Sequence, residues 1–461
     1  MNLLKEDRIN YLNIGLMLIT AVLAYYFPFE TFLLAYAYLG PLHYLTEISW
    51  LHDRQYFAKG KWDYLVLLVI GILLSLDAMF NDLKMSNDFV SFFNETNLSN
   101  QLLIIAIFSG IVFALIKNFY IKLGLIGLFY LIIVRRWLHP SNDIDNTDSS
   151  LIFTLTSLIP TLIHVYVFTG LFMLYGALKS RSKSGLLQMV GFILFPLILV
   201  FGLPKDTTNS HLSGYGKDAY YADGEGFYNT NYSILNHFNL FDNKLNNKEY
   251  LDIVTNPTTE KALIQNKIID SVSYYKHIDS LKKIQNKNFI LSKQPINPQI
   301  TDQGGHIHDH VLYFFNNDTN YVKRLDKYKN VAMPKDLWIS PMGKERKKST
   351  DNLIFFSEVG IMLMRFIAFA YLYHYLNWFS KTEVIRWHKV PKVRFILVVV
   401  LWLAAAIFYS IDYKLGLSVL FFLSFTHVLL EFPLNFISIA GIGTESLSIF
   451  KNGFKKKPLQ S

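Results

Sequence analysis

The chain has 461 residues, 52% of them hydrophobic and 16% aromatic but only 17% charged, with a formal net charge of +9 and no cysteine. Apolar content above the soluble norm and charge below it place the chain among multi-pass membrane proteins. Lack of cysteine excludes disulfides, thiolate-held zinc, iron–sulfur clusters and thiol nucleophiles, and a basic surplus confined to short loops reflects membrane orientation rather than a nucleic-acid partner.

Ten apolar stretches, each near the length needed to cross about 30 Å of hydrocarbon, are expected at roughly 10–28, 31–51, 63–80, 101–117, 119–135, 151–178, 185–203, 353–379, 392–410 and 413–440. The first ends in bulky aromatics rather than a small-residue cleavage site, so no removable signal peptide is expected. Lysine and arginine collect in alternate loops, from Lys5 and Arg8 through Arg54, Lys59 and Lys61 to Lys179, Arg181 and Lys183, and again at Lys381, Arg386 and Lys451. Acidic residues such as Glu30, Asp82, Asp88 and Asp143 occupy the opposite loops, and only Arg135 and Arg136 break the pattern. This asymmetry predicts a cell-membrane protein with both termini in the cytoplasm.

The expected fold class is an all-α polytopic membrane bundle with one inserted extracytoplasmic α+β domain. Residues 1–203 supply seven transmembrane helices, 204–351 the polar insert, and 352–461 three further helices and a basic cytoplasmic tail. Within the insert, 261–284 has helical patterning, while 306–315 alternates as a strand would.

One stretch of the second span, Leu34 to Asp53, carries His43 and Glu47 in the apolar run LAYAYLGPLHYLTEISWLHD. Four residues apart, they share a helix face. The spacing recurs in the last span as His427 and Glu431. Ionisable groups at bilayer depth are expensive and face a protein interior or a wet cavity. Spans two, six, eight and ten run in one direction and contribute His43, His164, His374 and His427, with His374 expected about two turns lower than the others. Imidazole with carboxylate suits iron, zinc or copper, and open positions on iron suit oxygen chemistry. Pro41, Pro160 and Pro433 flank these residues, where freed backbone groups are tolerated if protein or cavity water satisfies them. Arg365, mid-span in the eighth helix, is a buried charge expected to pair with Glu431, Glu47 or Glu358 or to hold an anionic substrate group. His52 and His388 fall at the membrane surface.

A second candidate metal site lies in the insert, where His306, His308 and His310 would share one face of a strand. That run resembles the His-x-His-x-Asp-His pattern of metallo-β-lactamase-like enzymes, one residue short between the second histidine and the aspartate. Asp218, Asp223 and Glu225 lack calcium-loop spacing and read as a turn. No nucleotide-binding loop, nucleophile elbow, His-Glu-x-x-His or dinucleotide fingerprint is present in the sequence.

The intramembrane histidines resemble those of the Brp/Blh-type membrane β-carotene dioxygenases, which hold iron beside a lipid-soluble substrate. That resemblance covers the idea of the site and no alignable motif. The chain lacks a His-Gly-x-x-Asp run and adds spans and an outer domain. It implies a metal-dependent, iron-type oxidase or oxygenase, with a lipid-soluble small molecule or membrane lipid as partner. No ligand assignment is carried over from that family; on the depth and direction of the residues themselves, His43, His164 and His427, joined by His374, would be ligands, Glu47 and Glu431 would complete the shell, take protons or orient histidine, and Arg365 would balance charge. A proton-coupled transporter or channel using the same residues, and haem b held by His43 and His427, are the alternatives.

Overall fold

Helix α1, Lys5–Tyr26, begins a bundle in which almost every element is helical. The computed structural model describes residues 5–82, 88–96, 98–138, 154–204, 213–221, 227–238, 244–245, 289–290, 354–355, 358–381, 386 and 389–454. The expected helix at 261–284, the strand with His306, His308 and His310, His388, and Asp223 and Glu225 lie outside them.

A single span was expected at 31–51; the chain instead forms α2 (Pro28–Leu34), a π-helical turn (Ala35–Leu39) and α3 (Gly40–Asp53) in unbroken succession. Pro28 starts α2 at a position where its missing N–H would have no partner anyway. Pro41 in the first turn of α3 cannot donate back into the preceding turn, and the wider hydrogen-bonding of a π-turn accommodates such an interruption. Next come α4 (Tyr64–Asp82), α5 (Asp88–Thr96), α6 (Leu98–Leu115) and α7 (Phe119–Leu138). A second π-helical stretch, Thr154–Phe168, contains Pro160 and continues into α8 (Thr169–Ser180); α9 (Lys183–Leu197) ends near Pro196 in a third, Ile198–Gly202.

The short α10 (Gly214–Tyr221) belongs to the membrane unit and not to the insert: the Ser213 amide donates to Glu30 at 2.9 Å, and the Tyr220 ring stands edge-on to Phe29 at 5.3 Å. The unit closes with α12 (Glu358–Ser380), α13 (Lys392–Ile411) and α14 (Tyr413–Asn452). Asp412 caps α14 by accepting the Leu415 amide at 2.7 Å.

Among the described residues, seven helices are long and apolar enough to cross a membrane: Glu6–Tyr26, Leu98–Leu115, Thr161–Ser180, Lys183–Gly202, Glu358–Ser380, Lys392–Ile411 and Tyr413–Asn452. Two of the ten expected spans are present as α4 and α7, whose apolar portions Tyr64–Asp77 and Phe119–Ile132 are shorter. Leu397, Val400, Leu403 and Ile407 along α13 are exposed, a surface suited to lipid. Among the described residues, the membrane unit is an all-α bundle.

Helix α14 is its axis, packing against α3, α4, α6, α8 and α13. Gly110 on α6 allows close approach: a Cβ there would stand 2.6 Å from the Phe432 Cβ. At one end Arg181, the left-handed residue terminating α8, donates to Glu445 at 2.8 Å and Ser448 at 3.1 Å on α14. A second unit spans Phe227–Ile361. Its described parts include α11 (Phe227–His237), two antiparallel two-residue strands, Lys244–Leu245 and Phe289–Ile290, and the first turn of α12.

Candidate metal centre

Four histidines from four helical segments meet inside the membrane unit: His43 on α3, His164 on the Thr154–Phe168 stretch, His374 on α12 and His427 on α14, all buried. The expected two-turn offset of His374 is absent. Helix α12 begins at Glu358, five residues after the expected start, so His374 lies sixteen residues into its helix. His43 and His427 lie fifteen and fourteen residues after Pro28 and Tyr413, the corresponding starts. Equal path lengths at equal rise bring the three to one depth.

The rings form a closed four-sided array. Centroids are 4.6 Å apart for His43–His374, 5.2 Å for His374–His164, 5.0 Å for His164–His427 and 5.5 Å for His427–His43. The Nε2 atoms face one another along two of its sides, 2.9 Å apart between His43 and His374 and 3.2 Å between His164 and His427. Three Nδ1 atoms face outward onto oxygen: His374 onto Thr169 Oγ1 at 2.6 Å, His427 onto the Leu423 carbonyl at 3.3 Å and His164 onto Glu431 Oε2 at 3.0 Å. The His164–Glu431 contact lacks hydrogen-bond alignment, so both atoms remain formally unpartnered, as does His43 Nδ1.

This layout decides two of the tautomers. A carbonyl only accepts, so His427 carries its proton on Nδ1 and its neutral ring presents a bare Nε2. A carboxylate behind His164 selects the same tautomer. Two lone pairs then face each other at 3.2 Å, which is repulsive unless a cation or a shared proton lies between them. Three of the four rings are backed by oxygen while the other nitrogen converges, the usual pattern around metal-bound histidine.

The two His-x-x-x-Glu motifs are not equivalent. Glu47 Oε2 lies 3.0 Å from His43 Nε2, the nitrogen that also faces His374. Glu431 instead reaches across to the outer nitrogen of His164. Donor atoms of His43, Glu47 and His427 all lie within 4.8 Å of one another, and the two carboxyls are within hydrogen-bonding reach of each other.

Aromatic rings wall the site. Tyr44 stacks on His427 at 4.3 Å, its hydroxyl 2.9 Å from that of Tyr375; Trp378 stands 5.2 Å from His43 and donates to Thr46 Oγ1 at 3.0 Å. Sequence reasoning missed Thr169, Tyr44, Tyr375 and Trp378. One signal was available: tyrosine directly follows both His43 and His374.

Arg365 does not join the site. Its guanidinium donates to the Pro204 carbonyl at 2.9 Å and lies over the Tyr25 ring at 4.1 Å. Nine residues separate it from His374, about 13 Å along α12 and half a turn around it, which puts Glu47 and Glu431 out of reach. His52 is an exposed partner of Asp53 at 3.3 Å, and Arg394 holds the same carboxylate at 2.7 Å. No family model, curated protein or solved structure matches this chain.

Proposed function

We propose that this chain is an integral-membrane, metal-dependent oxidoreductase, of the oxidase or oxygenase class, acting on a lipid-soluble substrate. One observation carries the reading: imidazole Nε2 atoms converge in pairs 2.9 and 3.2 Å apart. Two donors about 2.1 Å from one metal and subtending about 90° to 109° lie roughly 3.0–3.4 Å apart. His43, His164, His374 and His427 would hold the ion through Nε2. Glu47 would occupy or guard a further position, and Glu431 would orient His164. Nitrogen and carboxylate donors with a free position suit iron, with zinc or copper as competitors, and bound iron would supply activation of dioxygen.

The substrate class follows from location. Bilayer-crossing helices surround the site, and Tyr44, Tyr375 and Trp378 exclude water from it, so a hydrophobic molecule entering from the lipid is favoured. The basic loops support a cytoplasmic location for both termini. Haem b is disfavoured, because four rings sharing one small space leave no slot for a flat macrocycle between His43 and His427.

The same distances favour one other reading, a proton-coupled transporter in which each histidine pair shares a proton. Metal analysis with an absorption spectrum on the purified protein separates the two. About one iron per chain, lost in His43→Ala and retained when His306, His308 and His310 are all alanine, is expected. Metal lost only in the triple variant would move the chemistry to the insert. No metal in any sample would overturn the oxidoreductase and leave the transporter.

A further inference from the structure

Between the histidine array and the exposed end of α3, at His52 and Asp53, two indoles stand in line. Trp378 follows His374 by one turn on α12, and its ring lies 5.2 Å from the His43 ring. Trp50 follows His43 by seven residues on α3, two turns along the same face. Trp378 fills the space between them, 5.6 Å from Trp50 at an interplanar angle of 85°. The exposed Arg54 guanidinium covers Trp50 at 5.3 Å from its centroid. Each ring-to-ring step from His43 outward is thus an edge-to-face contact of the ordinary kind.

Interfacial anchoring does not account for these rings. A tryptophan that anchors a helix turns its N–H toward water or headgroups. The Trp50 N–H is buried and has no hydrogen-bond partner among the described residues. The Trp378 N–H points inward, donating to Thr46 Oγ1 at 3.0 Å, and Thr46 is itself buried. Thr46 in turn donates to the Leu42 carbonyl at 2.7 Å, so Trp378 is held in one orientation beside His43. Neither N–H meets a group basic enough to take its proton. An indole oxidised here therefore keeps its N–H bond and passes on charge alone.

We propose that Trp378 and Trp50 form a one-electron relay, returning an electron from the surface at Arg54 to an oxidised metal centre left without substrate. The inference rests on the oxidoreductase reading, in which dioxygen supplies the oxidant at the four histidines. Trp378 gives one electron toward His43 and becomes a radical cation. Trp50 gives one electron to Trp378 and restores it. An anionic one-electron reductant in the aqueous phase restores Trp50, drawn there by the positive charge of Arg54. One electron enters for each one used, and no N–H bond of the chain breaks. Indole yields an electron only to a strong oxidant, so the relay stays idle while substrate consumes the oxidising equivalents.

The test uses the full chain in lipid nanodiscs, loaded with iron(II) under argon. Because the chain has no cysteine, Arg54→Cys takes a single ruthenium polypyridyl photo-oxidant beside Trp50. A laser flash with a soluble quencher makes the ruthenium a strong oxidant, and transient absorption follows oxidation of the iron. This drives the electron through the two rings in reverse, over the same contacts. In Trp378→Phe the electron must cross the two turns between Trp50 and His43, about 10 Å, in one step, so iron oxidation should slow at least about tenfold. Trp50→Phe should slow it likewise, and should Trp378→Phe lose its iron, Trp50→Phe breaks the relay two turns away from the array. Oxidation at the parent rate in either iron-loaded phenylalanine variant overturns the relay and leaves the centre standing. A chain that binds no iron overturns the centre, and the relay with it.

Discussion

Thr169 is the sharpest place to test whether the histidines form a metal centre. It starts α8, five residues after His164, yet its hydroxyl serves a different ring, accepting from His374 Nδ1 at 2.6 Å in the tautomer that leaves Nε2 bare. Thr169→Val keeps the branched shape of a 2% exposed side chain and deletes that one acceptor. The His374 N–H then has no partner in the core, a penalty of about 1–3 kcal/mol. The ring can relieve it by shifting its proton to Nε2, which removes a donor from the array. Losing such an outer contact typically weakens metal binding about 10- to 100-fold. Competition against a calibrated chelator, with cobalt as a coloured probe, measures the change directly. Thr169→Ser, which restores the hydroxyl, should bind within about threefold of wild type. Wild-type affinity in Thr169→Val beside complete loss in His374→Ala would refute the view that the rear hydrogen bonds set the donor nitrogens.

The unequal placement of the two glutamates gives a second expectation. Glu431→Gln should lower metal affinity about 10- to 100-fold, as loss of an outer contact does. Glu47→Gln, on the donor side of His43, should also change the ligand-field spectrum of bound cobalt; identical spectra in the two variants would remove the distinction. Gly110→Ala should destabilise the bundle by about 1–3 kcal/mol, because the new Cβ would stand 2.6 Å from the Phe432 Cβ. An unchanged thermal unfolding midpoint would show that α6 can move away from α14 without strain.

Much of the site could be read from spacing alone. His43 with Glu47 and His427 with Glu431 were visible as i, i+4 pairs inside apolar runs, because helix geometry is local and membrane depth can be counted along the chain. Depth was misjudged where helix starts were misplaced: five residues at the head of α12 and three before the second span together put His374 about two turns too low relative to His43. Which nitrogen each glutamate faces was not legible, since Glu431 crosses to His164 on another helix instead of serving its own histidine. Arg365 was legible as a buried charge, and its partner was not. A backbone carbonyl and an aromatic face can satisfy a guanidinium, and neither leaves a mark in residue type. Thr169 was equally hidden, as a hydroxyl in an apolar helix is most often bonded to its own backbone.

The π-helical turn at Ala35–Leu39 has a consequence for how this chain can be compared with others. A π-turn holds one residue more than the α-turn it interrupts. Removing that residue and restoring an α-turn would leave everything beyond at nearly the same angle, because each kind of turn completes one revolution. Tightening the same residues into α-helix with none removed would instead rotate everything beyond by about 100°, swinging His43 and Glu47 off the shared axis while their four-residue spacing survived. A gap of one position in that stretch is therefore compatible with the four-ring array. A straight helix of unchanged length is not.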